Sequence, residues 1–395
     1  MRRRILILGT VTALGSLATH MIVPVLPAIA ADYRVSGGVA QFTLTIYLVA
    51  LALAQVVSGP IIDRWGRRPL LIAGGALFTG GSLLCWIAPW IGLLLAGRVV
   101  QAAGAACGLV AGRAIVGANA QAGGARDMAL LTAIVMLSPI FAPVLGSLVA
   151  VTAGWQAIFA ALTLIGGGAT LATARWITDG WTATARRPAR LIAGWRGVFA
   201  DGAFRRHLAI GTAISAGLYA FLASAPFFLT HRFGVPEARL GLMFGAVACG
   251  AGGGALLSSV LAARVSPAWL IRLGVLLALV AAALLLLLAI SGAGAPPLVA
   301  AMAGYAMAGG FVMPNAMMAA LAGAEDRVAT TVSLYGAVQM AGSGLTTMLV
   351  GALAGGDLTI TALVILASAA TAVLLHLARS RIDVRYNNII EGRDG

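Results

Sequence analysis

Not one of the 395 residues is lysine, only 12 are acidic, and charged residues make up 10% of the chain. A water-soluble protein carries about 25% charged residues, so a surface wetted on every side is excluded. Cysteine is scarce. Cys85, Cys107 and Cys249 are odd in number, fall inside apolar runs and form no C-x-x-C pair. That argues against a disulfide frame or a zinc site and leaves them as small core residues. The four histidines, His20, His207, His231 and His376, are scattered. No paired carboxylates, no nucleophile beside a base and no metal cluster is set up, which argues against a membrane enzyme. No G-x-x-x-x-G-K-[ST] loop occurs, which argues against an ATP-driven pump. No cofactor is expected.

What the chain has is hydrophobicity, at 61% of its residues, and 51 glycines. The apolar residues gather into about twelve runs near 5–31, 39–62, 69–89, 92–117, 128–152, 155–175, 207–230, 239–263, 268–291, 297–322, 329–354 and 358–379. Each approaches or exceeds the roughly 20 residues that cross a bilayer as helix. The first run is far longer than the 7–15 residues of a signal-peptide core and holds His20, Pro24 and Pro27, so it reads as an uncleaved first span. Small residues let membrane helices approach closely, and Gly250, Gly252, Gly253 and Gly254 read that way rather than as a phosphate loop.

The net charge of +14 comes wholly from arginine. Outer links keep only Arg34, Arg232 and Arg239, while Arg98 and Arg113 lie within spans. The remaining arginines fall on one side, which the positive-inside rule makes cytoplasmic, with both termini there. This pattern explains the basic balance without nucleic acid. The longest polar segment, 176–206, reads as a cytoplasmic linker with a short interfacial helix. It divides the chain into a first six-helix bundle, 1–175, and a second, 207–379, before a polar tail, 380–395. A weak repeat supports the division: Ser259–Arg264 stands where Gly59–Arg64 stands in the first half, with Ala263 at the position of Asp63.

Between the second and third runs lies Gly59-Pro60-Ile61-Ile62-Asp63-Arg64-Trp65-Gly66-Arg67-Arg68-Pro69. Its G-x-x-x-D-R-x-G-R-R spacing resembles the loop signature of the major facilitator superfamily. Gly97-Arg98-Val99-Val100-Gln101 resembles the fourth-helix R-x-x-Q-G signature, with the glycine displaced to Gly104. Ser138-Pro139-Ile140-Phe141-Ala142-Pro143-Val144-Leu145-Gly146 resembles the fifth-helix antiporter signature, with Ser138 and Ala142 in place of glycines. His20–Pro27, Ser224–Phe227 and Met313–Met317 are similar to stretches of the Bcr/CflA drug:proton antiporter branch, which usually has an aspartate where this chain has His20.

The resemblance implies an all-α membrane protein with twelve transmembrane helices in two pseudo-symmetric six-helix bundles. It implies a monomer in the bacterial inner membrane that exports small, drug-like or metabolite molecules against protons by alternating access. Gly59, Asp63, Arg64, Gly66, Arg67 and Arg68 would form a conformational latch, the acid reaching a neighbouring helix end. Pro139, Pro143 and Gly146 would mark the antiporter helix, each proline freeing a carbonyl.

No acid falls at mid-membrane depth. Asp32, Glu237 and Asp357 lie outside and the other nine inside, so His20 is the candidate proton carrier. At 1.5 Å rise per residue, His20 lies about 3 Å and Arg98 about 9 Å from mid-membrane on the same side, within reach of each other. Arg98 is expected to bond carbonyls, Gln101, Gln41 or a substrate anion, so the cavity should prefer neutral or anionic cargo to lipophilic cations. Gln41, Tyr47 and Gln55, with Tyr219, Asn315, Tyr335 and Gln339 from the second half, are further candidate wall residues. Any of them alone can equally be a structural hydrogen bond. Alternatives are a dedicated metabolite exporter, a proton-independent facilitator and, more remotely, a non-transporting sensor. Ethidium-type cations should be poor cargo, and a His20→Ala variant should lose proton-driven efflux. Undiminished ethidium efflux in that variant contradicts both the charge and the coupling expectation.

Overall fold

The computed structural model describes residues 2–118, 125–177, 191–322, 328–354 and 356–391, all helices and short connections with no strand among them. The helices are α1 Arg2–His20, α2 Leu26–Asp32, α3 Gly37–Trp65, α4 Arg67–Trp86, α5 Ile91–Ala118, α6 Ala125–Ala153 and α7 Gln156–Trp176. They continue with α8 Leu191–Ala200, α9 Gly202–His231, α10 Glu237–Leu261, α11 Pro267–Ile290, α12 Ala295–Leu321, α13 Val328–Ala354 and α14 Leu358–Glu391. Taking α1 and α2 as one span, twelve are long and apolar enough to cross a membrane. Large apolar side chains such as Leu53, Leu164, Leu171, Leu256, Val280 and Leu287 stand exposed around the bundle, where lipid tails replace water. This is a twelve-helix, multi-pass membrane architecture.

Short polar groups start the helices. Ser36 and Ser266 accept from Val39 N and Trp269 N, each at 3.3 Å, and Asp201 Oδ1 accepts from Ala203 N at 2.8 Å. These caps supply acceptors to N–H groups that have no helical partner. The charged stretch 59–69 is not an extended loop. Helix α3 runs through Asp63 and Arg64 to Trp65, and α4 begins at Arg67. The turn is the single residue Gly66, at φ +86°, whose N–H returns to Ile62 O at 2.8 Å; that backbone region favours glycine. We call this end of the bundle the arginine face and the opposite end the far face.

The first span departs from the continuous helix expected. Helix α1 stops at His20, a 3-10 turn covers Val23–Val25, and α2 follows. Pro24 and Pro27 each remove a backbone donor, and together they interrupt the ladder. Helix α6 instead stays continuous through Pro139 and Pro143. The Ser138 hydroxyl donates to Val135 O at 2.9 Å, the carbonyl four residues before Pro139 that the proline cannot serve. The last helix extends past the expected span end at 379 to Glu391. Its 34 residues measure about 51 Å, longer than a hydrocarbon core of about 30 Å, so its final turns project beyond the span. Of the expected linker, 178–190 lie outside the described residues, as do 392–395 of the tail; α8 occupies the place of the interfacial helix.

Contact between helices is set by glycine. A Cβ on Gly104 of α5 would run into Phe78 N and Gly74 O of α4, and one on Gly254 of α10 into the Met307 backbone of α12. Between the halves, α3 packs on α13 and α6 on α10. Phe227 of α9 sits in the first half's core with Leu14, Met21 and Ile22, while Val23, Leu44 and Leu48 sit in the second half's. At the far face Asp32 Oδ2 accepts from Trp155 Nε1 at 3.1 Å and Gln156 Nε2 at 2.9 Å, and the Tyr33 hydroxyl donates to Ala88 O at 2.7 Å. Burial, reinforced by the Asp32 carboxylate, pushes the Tyr33 phenol up to about 12, so it stays a donor. These bonds gather the ends of α2, α4 and α7.

Gly104→Val should cost at least about 2 kcal/mol, because backbone cannot yield as a flexible side chain does. Gly168→Val, where nothing lies within 4 Å, should stay within about 0.5 kcal/mol of the parent. Thermal unfolding in detergent compares the two.

Candidate functional site

Among the described side chains the fully buried charge is Arg98, on α5, with no exposed surface. Its Nε donates to Thr43 O of α3 at 3.2 Å, and Nη1 donates to Ala18 O of α1 at 3.1 Å and to Gln101 Oε1 at 2.6 Å. Gln101 Nε2 donates to Ser82 Oγ of α4 at 2.8 Å, and that hydroxyl donates to Phe78 O at 2.7 Å. The guanidinium lies 3.9 Å from the Tyr47 ring centre and 5.9 Å from that of Phe159. One side chain therefore joins four helices of the first half. Ala18 lies in the last turn of α1, where carbonyls run out of helical partners, and the cation suits the negative end of the helix dipole. Every partner of Arg98 is neutral, and its buried Nη2 has none among the described residues; Thr43 Oγ1 is likewise unpartnered.

His20 is half-buried at the break in the first span. Its Nδ1 lies 2.8 Å from Ser16 O. A carbonyl only accepts, so Nδ1 carries the proton and Nε2 is left to exchange one. Arg98 and His20 do not bond each other. They grip the same turn of α1, through Ala18 O and Ser16 O.

The other predicted residues divide between this network and the seam of the two halves. Tyr47 is fully buried and donates to Gly15 O at 3.1 Å, so it braces α3 on α1 and lines no open wall here. Gln41 does not reach Arg98 as expected. Its amide is buried with neither atom bonded among the described residues, and its Oε1 lies 3.0 Å from where a Cβ on Gly351 of α13 would sit. Gln55 Oε1 abuts Gly336 of α13 in the same way, at 2.9 Å. Asn315 Nδ2 donates to Ser258 Oγ and Phe311 O, both at 2.7 Å, and the Tyr335 hydroxyl donates to His207 O at 3.4 Å. Gln339 Nε2 meets the Met313 thioether at 3.0 Å, a weak acceptor that leaves the amide available. Tyr219 is half-buried.

At the arginine face, Arg68 Nη2 donates to Ala174 O in the last turn of α7 at 2.9 Å, and Arg3 lies over the Trp176 ring at 4.7 Å. An arginine of the charged stretch thus reaches a helix end, the part expected of the acid. The side chains of Asp63 and Arg113 lie outside those described. Arg64 is exposed and Arg67 half-buried, and Gly59 has nothing within 4 Å of a would-be Cβ, so it serves no close approach. On the antiporter helix, a Cβ on Gly146 would strike Met21 O, and one on Gly241 of α10 would lie 2.5 Å from Pro143 O. Helix α6 thus faces both the break in the first span and the other half. An apolar groove of about 630 Å³ that includes Ala73, Leu77, Gly80 and Val100 lies on the outside of α4 and α5, away from these residues.

Sequence reasoning missed Thr43, Ser82, the carbonyl-serving role of Ser138, and Thr45 of α3 with Thr347 of α13, whose buried hydroxyls lie 2.7 Å apart across the halves. Their small hydroxyls within apolar runs look like any membrane-helix threonine or serine. Only Ser138, just before a proline, carried a local signal.

Two bundles of membrane helices, joined by α3–α13 and α6–α10 contacts and polar inside, define the class: a membrane transporter for small molecules. The Major Facilitator Superfamily model matches residues 8–347, and the chain belongs to that family. An uncharacterized MFS-type transporter, YdgK of Bacillus subtilis (strain 168), is 27% identical over 87% of each chain. Multidrug resistance protein D of Escherichia coli (strain K12) is 27% identical over 61% of each chain. Multidrug resistance protein MdtL of Escherichia coli (strain K12 / DH10B) is 37% identical over 36% of each. The chain thus spans less than two thirds of the two proteins named for drug resistance. Among solved structures, a bacterial homologue of the human lysosomal transporter Spinster, inward-facing and occupied, superposes with a TM-score of 0.74 at 17% identity, covering 95% of this chain and 96% of that one. A D-xylose–proton symporter does so at 0.71 and 13%, covering 95% and 96%. At those identities the likeness shows the fold.

Arg98→Lys should cut transport at least about tenfold, because one ammonium cannot copy the planar fork that spans α1, α3 and Gln101. Transport by reconstituted protein, with thermal unfolding alongside, measures it. Transport within twofold of the parent would remove Arg98 from the site.

Proposed function

We propose that the protein exports small drug-like or metabolite molecules by proton-coupled antiport, rocking two six-helix bundles, 1–175 and 207–379, about a site between them. The observation that carries this reading is the Arg98 network beside the break in the first span. Among the described residues a permanent buried cation has an open donor, Nη2, and no acid partner, and at the end of α1 a half-buried histidine has Nε2 without a bond among those residues. A buried donor without a partner costs about 1–3 kcal/mol, which cargo carrying an acceptor would recover. A lipophilic cation would add like charge instead. The relatives named for multidrug resistance and the proline-bearing α6 at the seam favour export. The arginine face is assigned to the cytoplasm of a bacterial inner membrane, with both termini there and the protein acting as a monomer.

A proton-independent facilitator or dedicated metabolite exporter is the second reading. The observation in its favour is that, among the described residues, no acid lies at the mid-length of a span.

Reconstituted vesicles loaded with chloramphenicol or ethidium decide between them. An imposed proton gradient should speed release of chloramphenicol well beyond that of ethidium, and His20→Ala should abolish the acceleration while leaving downhill release. Chloramphenicol release indifferent to the gradient would rule out antiport of that cargo.

A further inference from the structure

At the far face the contacts between the two halves include close backbone approach and an aromatic ring. Gly38 of α3 faces Gly351 of α13 so closely that a Cβ on Gly38 would lie 2.7 Å from Gly351 O. Phe227, from α9 of the second half and 2% exposed, packs its ring on Gly37 of the first. Its Cε1 and Cδ1 are 3.0 and 3.1 Å from where a Cβ on Gly37 would be. Behind it, the Phe227 Cβ is 2.9 Å from the same point on Gly356, whose φ of +99° disfavours any larger residue. Pro226 precedes this ring inside α9 and removes the bond that would otherwise fall to Leu222 O.

Two turns further in, Thr45 of α3 and Thr347 of α13 are 2.7 Å apart, both buried. The direction of this bond follows from its neighbours. The Thr347 hydroxyl donates to Gly344 O at 2.7 Å, so its one proton is used and Thr45 must be the donor. Thr12, Thr19, Thr79 and Thr173 instead donate to carbonyls four residues back in their own helices. Thr45 gives up that local bond to hold the other half.

We infer that Phe227 on Gly37, braced by the Thr45-to-Thr347 bond, is the far-face gate: a plug and a clasp that must part together before the interior reaches that side. The assignment rests on the alternating-access reading above. The plug seats on glycine because a Cβ at position 37 would force the ring to shift by a few tenths of an ångström. The clasp is a single neutral hydrogen bond, strong enough to set the closed register and weak enough to break in each cycle.

The test uses the full chain with Cys85, Cys107 and Cys249 replaced by alanine. One reporter is Leu48→Cys, inward of the clasp; the other is Gln55→Cys, two turns nearer the arginine face. A membrane-impermeant maleimide is applied from each side of sealed vesicles. Phe227→Ala and Gly38→Ala should raise far-face labelling of the first reporter at least about tenfold. Thr45→Val should raise it about fivefold, as expected for one buried hydrogen bond, and Phe227→Leu should stay near the parent. Labelling of the second reporter from the arginine face should fall in step. Unchanged far-face labelling in Phe227→Ala and Gly38→Ala overturns the gate, and so does a rise at both reporters, which marks a loosened bundle. A far-face rise with the second reporter unmoved keeps the gate and overturns reciprocal rocking. If Phe227→Ala fails to fold, Gly38→Ala and Thr45→Val carry the same comparison.

Discussion

The first half of the molecule is organised around a guanidinium with no carboxylate to answer it. Arg98 is solvated by Thr43 O, Ala18 O, the Gln101 amide and the Tyr47 ring, which together replace a hydration shell. An arginine deep in a membrane protein is costly, and neutral dipoles offset that cost only if they are held in place. The consequence runs outward. Helices α1, α3, α4 and α5 must meet where they do, the first span must break where its carbonyls can be lent, and glycines must line α4 and α5 so that the helices come close enough. The seam with the other half uses a weaker bond of the same kind, one hydroxyl to another.

Much of the architecture was legible because the bilayer imposes it. Span number follows from the length and apolar composition of the runs. The break at His20–Val25 was foreshadowed by Pro24 and Pro27, yet prolines alone do not decide between a kink and a stop; α6 carries two and stays continuous. The difference lies in which donor meets the carbonyls near each proline. Ser138 donates to the carbonyl that Pro139 strands, whereas Arg98, from another helix, takes up a carbonyl at the end of α1. No pattern within the first run could show a donor arriving from residue 98.

The candidate site was legible in its residue types and not in its pairings. Arg98 and Gln101 belong together because three residues bring them onto one face of α5. Gln41 and Gln55, fourteen residues apart in α3 and so close to one face, turn toward α13 and away from Arg98. Which face of α3 meets which neighbour depends on the packing of the halves, and that rests on glycines of α13 such as Gly336, Gly344 and Gly351. Glycine is abundant throughout the chain, so its abundance did not mark these three.

A positive charge that is never neutralised also has an electrical meaning. In the rocking motion proposed above Arg98 would travel with its bundle, and a shift of a few ångströms is roughly a tenth of a 30 Å core. With 100 mV across the membrane, that displacement is worth about 0.2 kcal/mol, less than thermal energy. Voltage acting on Arg98 therefore does little to choose which face is open, and the choice falls to the chemical potential of whatever occupies the interior.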